Sequence, residues 1–333
     1  MKVLFIGGTG IISSACSELA IERGIDLYLL NRGQSIRPAH PQARHLYGDI
    51  RQPETIQAIL SEHTFDVVVN WVAYVPQHIA SDLRLFRGRI GQYIFISSAT
   101  VYQTPPARLP ITEETPLSNP IWEYAQNKIA CEQLLMSAYN EEDFPVTIVR
   151  PSHTYDRTHL PIRGGYTALM RMRQGKKVIV HGDGSSLWTL THHVDFARGF
   201  LGLLGNPLAI GEAFHITSDE VLTWNRIYEL SAQAIEVTPD LVHIPSELIA
   251  AYDPEMGDGL LGDKTHSKIF DNTKIKHLVP DFQATIPFAH GVKETIAWLD
   301  ANPASQHISA DFNALVDRIL AAYESAWPSP PKA

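Results

Sequence analysis

The feature that most constrains the fold is a glycine turn at residues 7–10, set between an extended segment and a helical one. Val3–Ile6 is an apolar run bounded by glycine and too short for a helix, so it reads as a buried strand. Gly7-Gly8-Thr9-Gly10 follows, and Ile11–Arg23 then carries Ile12, Cys16, Leu19 and Ala20 at helical spacing before Gly24 closes it. A helix opened directly by glycines points bare backbone N–H groups and its positive dipole end at one spot. Gly7 permits the tight turn, Gly10 admits an anion such as a pyrophosphate, and Ser13 is small enough for close helix–strand packing.

The same alternation continues to about residue 150. Strands are expected at Asp26–Leu30, Arg44–Tyr47, Asp66–Asn70, Gln92–Ile96 and Pro145–Val149, with helices at Glu54–Ser61, Ile79–Phe86 and Tyr124–Tyr139. Strands alternating with helices imply right-handed crossovers and a parallel sheet covered on both faces. The fold class is therefore α/β: a Rossmann-type doubly wound parallel sheet with a smaller mixed C-terminal domain. Residues 1–151 are expected to bind a dinucleotide, completed by segments near 178–218, and 152–327 to bind substrate. Past Arg150-Pro151, helices are expected at Gly165–Gln174, Val194–Leu204 and Trp224–Ile235, with strands at Val178–Val180, Ala213–Ile216 and Leu241–Ile244. Asp253–Gly262, rich in Gly, Asp and Pro, reads as a loop. Ala310–Trp327 places Phe312, Leu315, Val316, Ile319, Tyr323 and Trp327 on one helical face that docks on the protein's own body, and 328–333 reads as a flexible tail.

Composition narrows the function classes. The 333 residues carry 27 basic and 36 acidic side chains, a net charge of −9 without a basic stripe, which argues against a nucleic-acid surface. Cys16 and Cys131 are the only cysteines, so no disulfide framework is expected and a reducing compartment fits. No run approaches the roughly 20 apolar residues of a membrane span, and the first residues run straight into a strand rather than a signal peptide. A cytoplasmic protein is the expectation. His153, His159, His181, His192 and His193 show no recognised ligand spacing, so no metal site is expected.

The chemistry-bearing residues lie between the fifth and sixth strands. Ser98 stands in Ile96-Ser97-Ser98-Ala99-Thr100-Val101-Tyr102, and Tyr124-Ala125-Gln126-Asn127-Lys128 opens the next helix. Four residues apart, Tyr124 and Lys128 project from one helix face. A phenol has a reference pKa near 10; an adjacent ammonium favours the phenolate and moves it toward useful values. Ser98, ending a strand, is placed to hold a substrate oxygen near that phenol. At the end of strand two, Asn31 and Arg32 replace the acidic residue that would accept from a ribose 2′-hydroxyl, so a 2′-phosphate becomes acceptable and Arg32 leans the choice toward NADP over NAD. Asp49, before Ile50, is placed to accept from an adenine amino group.

These motifs resemble the extended short-chain dehydrogenase/reductase family, and within it the NAD-dependent epimerase/dehydratase group, over roughly residues 1 to 300. Gly7 to Gly10, Asp49, Asp66 to Asn70, Ser97 to Tyr102, Tyr124 to Lys128, Arg150-Pro151 and Gly182-Asp183-Gly184-Ser185 with Val194-Asp195 carry the likeness. The resemblance implies Ser98, Tyr124 and Lys128 as the catalytic set. It implies a cofactor cradle of Gly7, Thr9, Gly10, Ile11 and Ile12. Further cofactor contacts are expected from Asn31, Arg32, Asp49, Ile50, Ala73 and Pro151, besides Tyr124 and Lys128. A homodimer through the Tyr124–Tyr139 helix is also a family expectation.

The likeness breaks at telling places. Ala99-Thr100 replaces the acidic pair of the 4,6-dehydratases. Trp188 stands where the epimerases place a diphosphate-holding arginine, and His153 where they place an asparagine, with Arg163, Arg171 or Arg173 as substitutes. Tyr102, His153, Arg163 and Trp188 are the substrate-pocket candidates. Three readings stay open: an enzyme acting on a sugar or nucleotide sugar by reversible hydride transfer, an NADP-dependent carbonyl reductase, and a nucleotide-bound RNA-binding or regulatory protein. The short Ala73–Gln92 connection and Asn31-Arg32-Gly33 resemble the chloroplast stem-loop RNA-binding branch of the superfamily, against which the intact Ser98, Tyr124 and Lys128 and the acidic balance count.

Overall fold

The computed structural model describes residues 1–35, 37–326 and 328. Trp327 and residues 329–333, the end of the expected apolar face and most of the expected tail, lie outside the described residues.

The first half alternates β1 (Lys2–Ile6), α1 (Ile11–Glu22), β2 (Asp26–Asn31), β3 (Arg44–Tyr47), α2 (Pro53–Ser61), β4 (Val67–Asn70), α3 (Pro76–Phe86), β5 (Gln92–Ile96), α4 (Glu123–Glu142) and β6 (Val146–Pro151). The second half contributes β7 (His153–Tyr155), α5 (Tyr166–Arg173), β8 (Val178–His181), β9 (Leu187–Trp188), β10 (Leu190–His192), α6 (His193–Leu201), β11 (Ala213–Ile216), β12 (Leu222–Thr223), α7 (Trp224–Gln233) and β13 (Leu241–Ile244). Helices α8 (Ser246–Tyr252), α9 (Pro254–Gly259), α10 (Thr273–Leu278), α11 (Phe288–Ala301) and α12 (Ala310–Ser325) complete it.

A seven-stranded sheet in the order β11-β6-β5-β4-β1-β2-β3 runs parallel throughout. Its strands are apolar on both faces: Val3 and Phe5 join one buried cluster, Leu4 and Ile6 the other. Full burial of each such side chain is worth roughly 1.5–3 kcal/mol. The register aligns the strand ends, Ile6 pairing with both Leu30 and Asn70, and Asn70 with Phe95. The segments that leave β1, β2, β4, β5 and β6 therefore emerge at one carboxyl edge, where the strand order reverses around β1 and β4.

The second half builds three small two-stranded pairs, β7 with β10, β8 with β13 and β9 with β12. Of these, β8 and β13 fall where strands were expected, at Val178–Val180 and Leu241–Ile244, whereas β7, β9, β10 and β12, two or three residues long, have no periodicity long enough to announce them. The expected loop at Asp253–Gly262 is instead helical: α9 runs into a π-turn over Leu260–Lys264. Its start signals were present, because Asp253 accepts from the Met256 N–H at 2.9 Å with Pro254 at the first helical position. Two of the glycines that suggested a loop serve packing: a Cβ on Gly257 would lie 2.4 Å from Ala250 Cβ, and one on Gly262 2.8 Å from Trp122 Cβ, whereas Gly259 has open space beside it. Gly291 plays the same part inside α11, which sequence reading missed.

A methyl group on Gly291 would lie 2.3 Å from the Tyr155 hydroxyl oxygen, which is buried and makes no hydrogen bond among the described residues. Gly291→Ala should lower unfolding stability by about 1–3 kcal/mol, read from the denaturant midpoint. Adding Tyr155→Phe, which removes the clashing oxygen, should restore part of it.

Candidate active site

The ends of β1, β2, β4, β5 and β6 bring the candidate groups to one edge of the sheet. At the β1 end, Gly7 and Gly8 adopt φ of +105° and +100°, and a Cβ on Gly8 would meet Leu29 Cδ2 at 2.6 Å. Gly8, not singled out from sequence, is thus as constrained as Gly7. Gly10 caps α1 with extended backbone, and its N–H donates to Ser13 Oγ at 2.7 Å. Ile11 and Ile12 open the helix with N–H groups that have no intrahelical acceptor. Ser17 completes the anchoring by donating to Gly8 O at 3.0 Å. This arrangement fits a pyrophosphate: bare donors, no side chain in the way, and the positive end of a helix.

At the β2 end, Asn31 Oδ1 accepts from the Gly33 N–H at 3.0 Å, leaving Arg32 exposed and 4.0 Å from Asp49. So loose an exposed pair contributes little, and the guanidinium is available to a ligand.

At the β4 end, Asn70 and Asp82 form a buried pair that also takes the Tyr93 hydroxyl. Asn70 Oδ1 then accepts from the Val72 N–H at 2.8 Å, which fixes the segment leading to Ala73. Burial pushes the Asp82 carboxyl up to about 6, against the opposing Tyr93 and Asn70 hydrogen bonds. Ala73 O and Ile96 O accept from Lys128 Nζ at 2.6 and 2.8 Å, so one ammonium joins the ends of β4 and β5. Lys128 is fully buried, and desolvation lowers it to about 8.

Ser98 lies just past β5, where Thr100 donates to its oxygen from both N–H and hydroxyl, at 3.3 and 3.0 Å. Tyr124, in the first turn of α4, faces the same cavity as Ser98; burial raises its phenol to about 12, and the neighbouring Ser98 opposes that rise. The Lys128 ammonium sits 5.8 Å from the centre of the Tyr124 ring. The structure therefore brings Ser98, Tyr124 and Lys128 together, and Thr100 orients the serine.

Ser98 and Tyr124 line a cavity of about 300 Å³ that also includes Pro151, His153, Trp188, Asp263, Lys264 and Lys268. A larger cavity of about 750 Å³ shares Trp122, His153 and Lys264 with it and extends past Arg163 to Phe312 of α12. Phe312 packs on Gly164 so tightly that a Cβ there would lie 2.2 Å from its ring. Trp188 donates to His153 Nδ1 at 3.2 Å, and burial beside Lys264 drives His153 down to about 3, so it is neutral.

Other expectations land elsewhere. Tyr102 is completely buried and lines neither cavity; its hydroxyl binds Arg150 and His215 at 3.2 and 3.0 Å. Arg150 in turn holds Glu132 through two hydrogen bonds of 3.0 and 2.6 Å. Arg171 and Arg173 cannot replace a phosphate handle: Arg171 binds Asn313 and Asp317, and Arg173 binds Asp300. No group of metal-ligating side chains converges among the described residues. Sequence reading missed Asn119, Asp82 and Lys264, which stand in no recognised motif.

The doubly wound sheet and the cleft at its switch point define a dinucleotide-binding α/β protein. The family model described as NAD dependent epimerase/dehydratase family matches residues 3–217, and the chain belongs to that family. Among curated relatives, a protein named 2'-dehydrokanamycin reductase from Streptomyces kanamyceticus is 24% identical over 287 residues, 85% of this chain and 80% of its own. The Arabidopsis thaliana chloroplast stem-loop binding protein of 41 kDa b is 28% identical over 257 residues, 73% of this chain and 65% of its own. The structure of a UDP-glucose 4-epimerase from Thermotoga maritima superposes with a TM-score of 0.73 at 20% identity, covering 91% of this chain and all of that one, a likeness of fold. No described helix is long and apolar enough to cross a membrane.

The Asp82 carboxyl supplies a pH test of the scaffold behind the cleft. Its folded pKa of about 6 lies above the ordinary 3.8, so between those values the folded state holds more protons than the unfolded one. Stability from this group is therefore lost as pH rises through that window, at a cost of about 3 kcal/mol once complete. Denaturant midpoints at pH 4 and pH 7 should show that slope in the wild type and its absence in Asp82→Asn.

Proposed function

We propose that this chain is an NAD(P)-dependent enzyme that moves hydride reversibly at a hydroxyl-bearing carbon of a sugar or nucleotide sugar, with Tyr124 as the base. The observation that carries the reading is that Ser98 and Tyr124 stand together at the wall of one cavity, with the Lys128 ammonium fixed beneath the tyrosine ring. Gly7, Thr9, Gly10, Ile11 and Ile12 would hold the pyrophosphate, Asn31, Arg32, Asp49 and Ile50 the adenosine end, and Ala73 and Pro151 the nicotinamide end. The nicotinamide, when bound, supplies a hydride acceptor or donor.

The chain's own residues would manage the proton. Ser98, already aligned by Thr100, presents its hydroxyl to the substrate oxygen. Tyr124 takes that oxygen's proton as the phenolate and returns it as the phenol. With its phenol at about 12, Tyr124 is scarcely ionised at neutral pH in the chain without cofactor. A fixed positive charge at Lys128 lowers the cost of ionising it. Lys128 keeps that charge in place because two carbonyl oxygens hold it.

Arg32 supports a second reading, a reductase that exchanges NADP each turnover, since its guanidinium is exposed beside the expected ribose position. The two differ in cofactor retention. Mass and absorbance of the purified protein should reveal retained NAD for an epimerase, which must keep its hydride between half-reactions. Reversible NADP binding, weakened about tenfold by Arg32→Ala with NAD affinity unchanged, would favour the reductase.

Tyr124→Phe is the direct test. It should lower kcat by roughly 10²–10⁴-fold while changing nucleotide affinity far less. Undiminished turnover would overturn the reading. Stem-loop RNA bound equally by wild type and variant, without turnover in either, would move the chain to the RNA-binding branch.

A further inference from the structure

The side chain that the proposed chemistry leaves unused is Lys264. It lines both cavities, the small one around Ser98 and Tyr124 and the larger one beside it. The turn that carries it is a π-turn, a rare geometry that recurs at functional sites, and it is tied down on three sides. Asn119 Nδ2 donates to Gly262 O at 2.8 Å, while His181 Nε2 and Ser186 Oγ bind Lys264 O at 3.0 and 3.1 Å. Trp122 and Trp188 flank the ammonium at 5.5 and 5.7 Å from their ring centres.

Its ion-pairing is incomplete. The adjacent Asp263 gives its close contact to Lys268, at 2.7 Å, and stands 3.5 Å from Lys264. The remaining acceptor is Gly259 O, at 3.5 Å. Arg163, exposed at the wall of the larger cavity, adds a second positive charge, near Asp253 and Glu255 but with no side-chain ion pair among the described residues. Two incompletely neutralised cations thus line one half-open, aromatic-walled space, with Glu255 also on its wall. Burial and the repulsion from Arg163 both lower the Lys264 pKa, opposed by Asp263. An incoming anion would relieve that strain.

We propose that Lys264 recognises an anionic group, a phosphate or a carboxylate, on the substrate whose hydroxyl faces Tyr124, with Arg163 as the outer cation. The proposal rests on the reading of the cavity as the substrate site. It makes Lys264 a specificity-determining residue and directs a neutral or cationic sugar away from the site.

The test is binding by the NAD-saturated full chain, followed through the fluorescence of the tryptophans beside Lys264. Glucose 1-phosphate and glucuronate are the probes, and glucose is the neutral control. Wild type should bind one of the two anions at least tenfold more tightly than glucose; which one separates a phosphate from a carboxylate preference. Lys264→Gln should erase the preference with unchanged Tm and NAD affinity, and Lys264→Arg should keep most of it. Tyr124→Phe should bind the anions like wild type, so failure of the proposed chemistry and failure of anion recognition are read on different variants. A preference that survives Lys264→Gln, or its absence from wild type, would overturn the proposal.

Discussion

One primary amide, that of Asn119, joins the parts of the cleft. Its Nδ2 donates to Thr100 O at 3.2 Å and Gly262 O at 2.8 Å, and its Oδ1 accepts from Ile121 N and Trp122 N at 3.3 and 3.1 Å. Those four partners belong to the turn after Ser98, the π-turn before Lys264 and the entry of the helix bearing Tyr124. Buried and with both ends satisfied, the amide holds three chain segments at once. Losing such a group would leave several buried polar atoms unpaired, each costing about 1–3 kcal/mol. The distances within the cleft therefore follow from one side chain that touches none of the proposed chemistry.

Behind it, charge is buried only where it is answered. Lys128 faces two carbonyl oxygens, and Arg150 faces both oxygens of Glu132. Such groups stabilise little relative to an apolar core, but they are costly to break singly. Their value is positional: they lock strand ends to helix α4 without leaving an orphan charge.

Much of this was legible in the sequence because the first half consists of long, repeated and strongly patterned units. The strands at Arg44–Tyr47 and Gln92–Ile96 fall where the pattern places them, and the glycine turn names the edge on which ligands collect. Legibility fails where packing, not pattern, decides. Gly257 and Gly291 look like breakers yet sit inside helices because a neighbour leaves no room for a methyl group. Tyr102 follows the serine motif closely in sequence, but the turn at Ala99–Val101 swings it inward to Arg150. Arg171 reads as a free cation until the fold brings Asp317 to it. Asn119 and Lys264 matter through partners 143 and 78 residues away in the chain, and no local window contains that information.

The C-terminal helix has a consequence beyond its own packing. Phe312 forms part of the wall of the larger cavity and presses on Gly164, while Arg171 and Lys177 fasten the helix through Asp317 and Glu324. The reach of the cavity is thus decided in part by α12, remote from the glycine turn and the proposed hydride chemistry. Evolution can resize the guest by altering the docking of one terminal helix, and the reacting groups need not change at all.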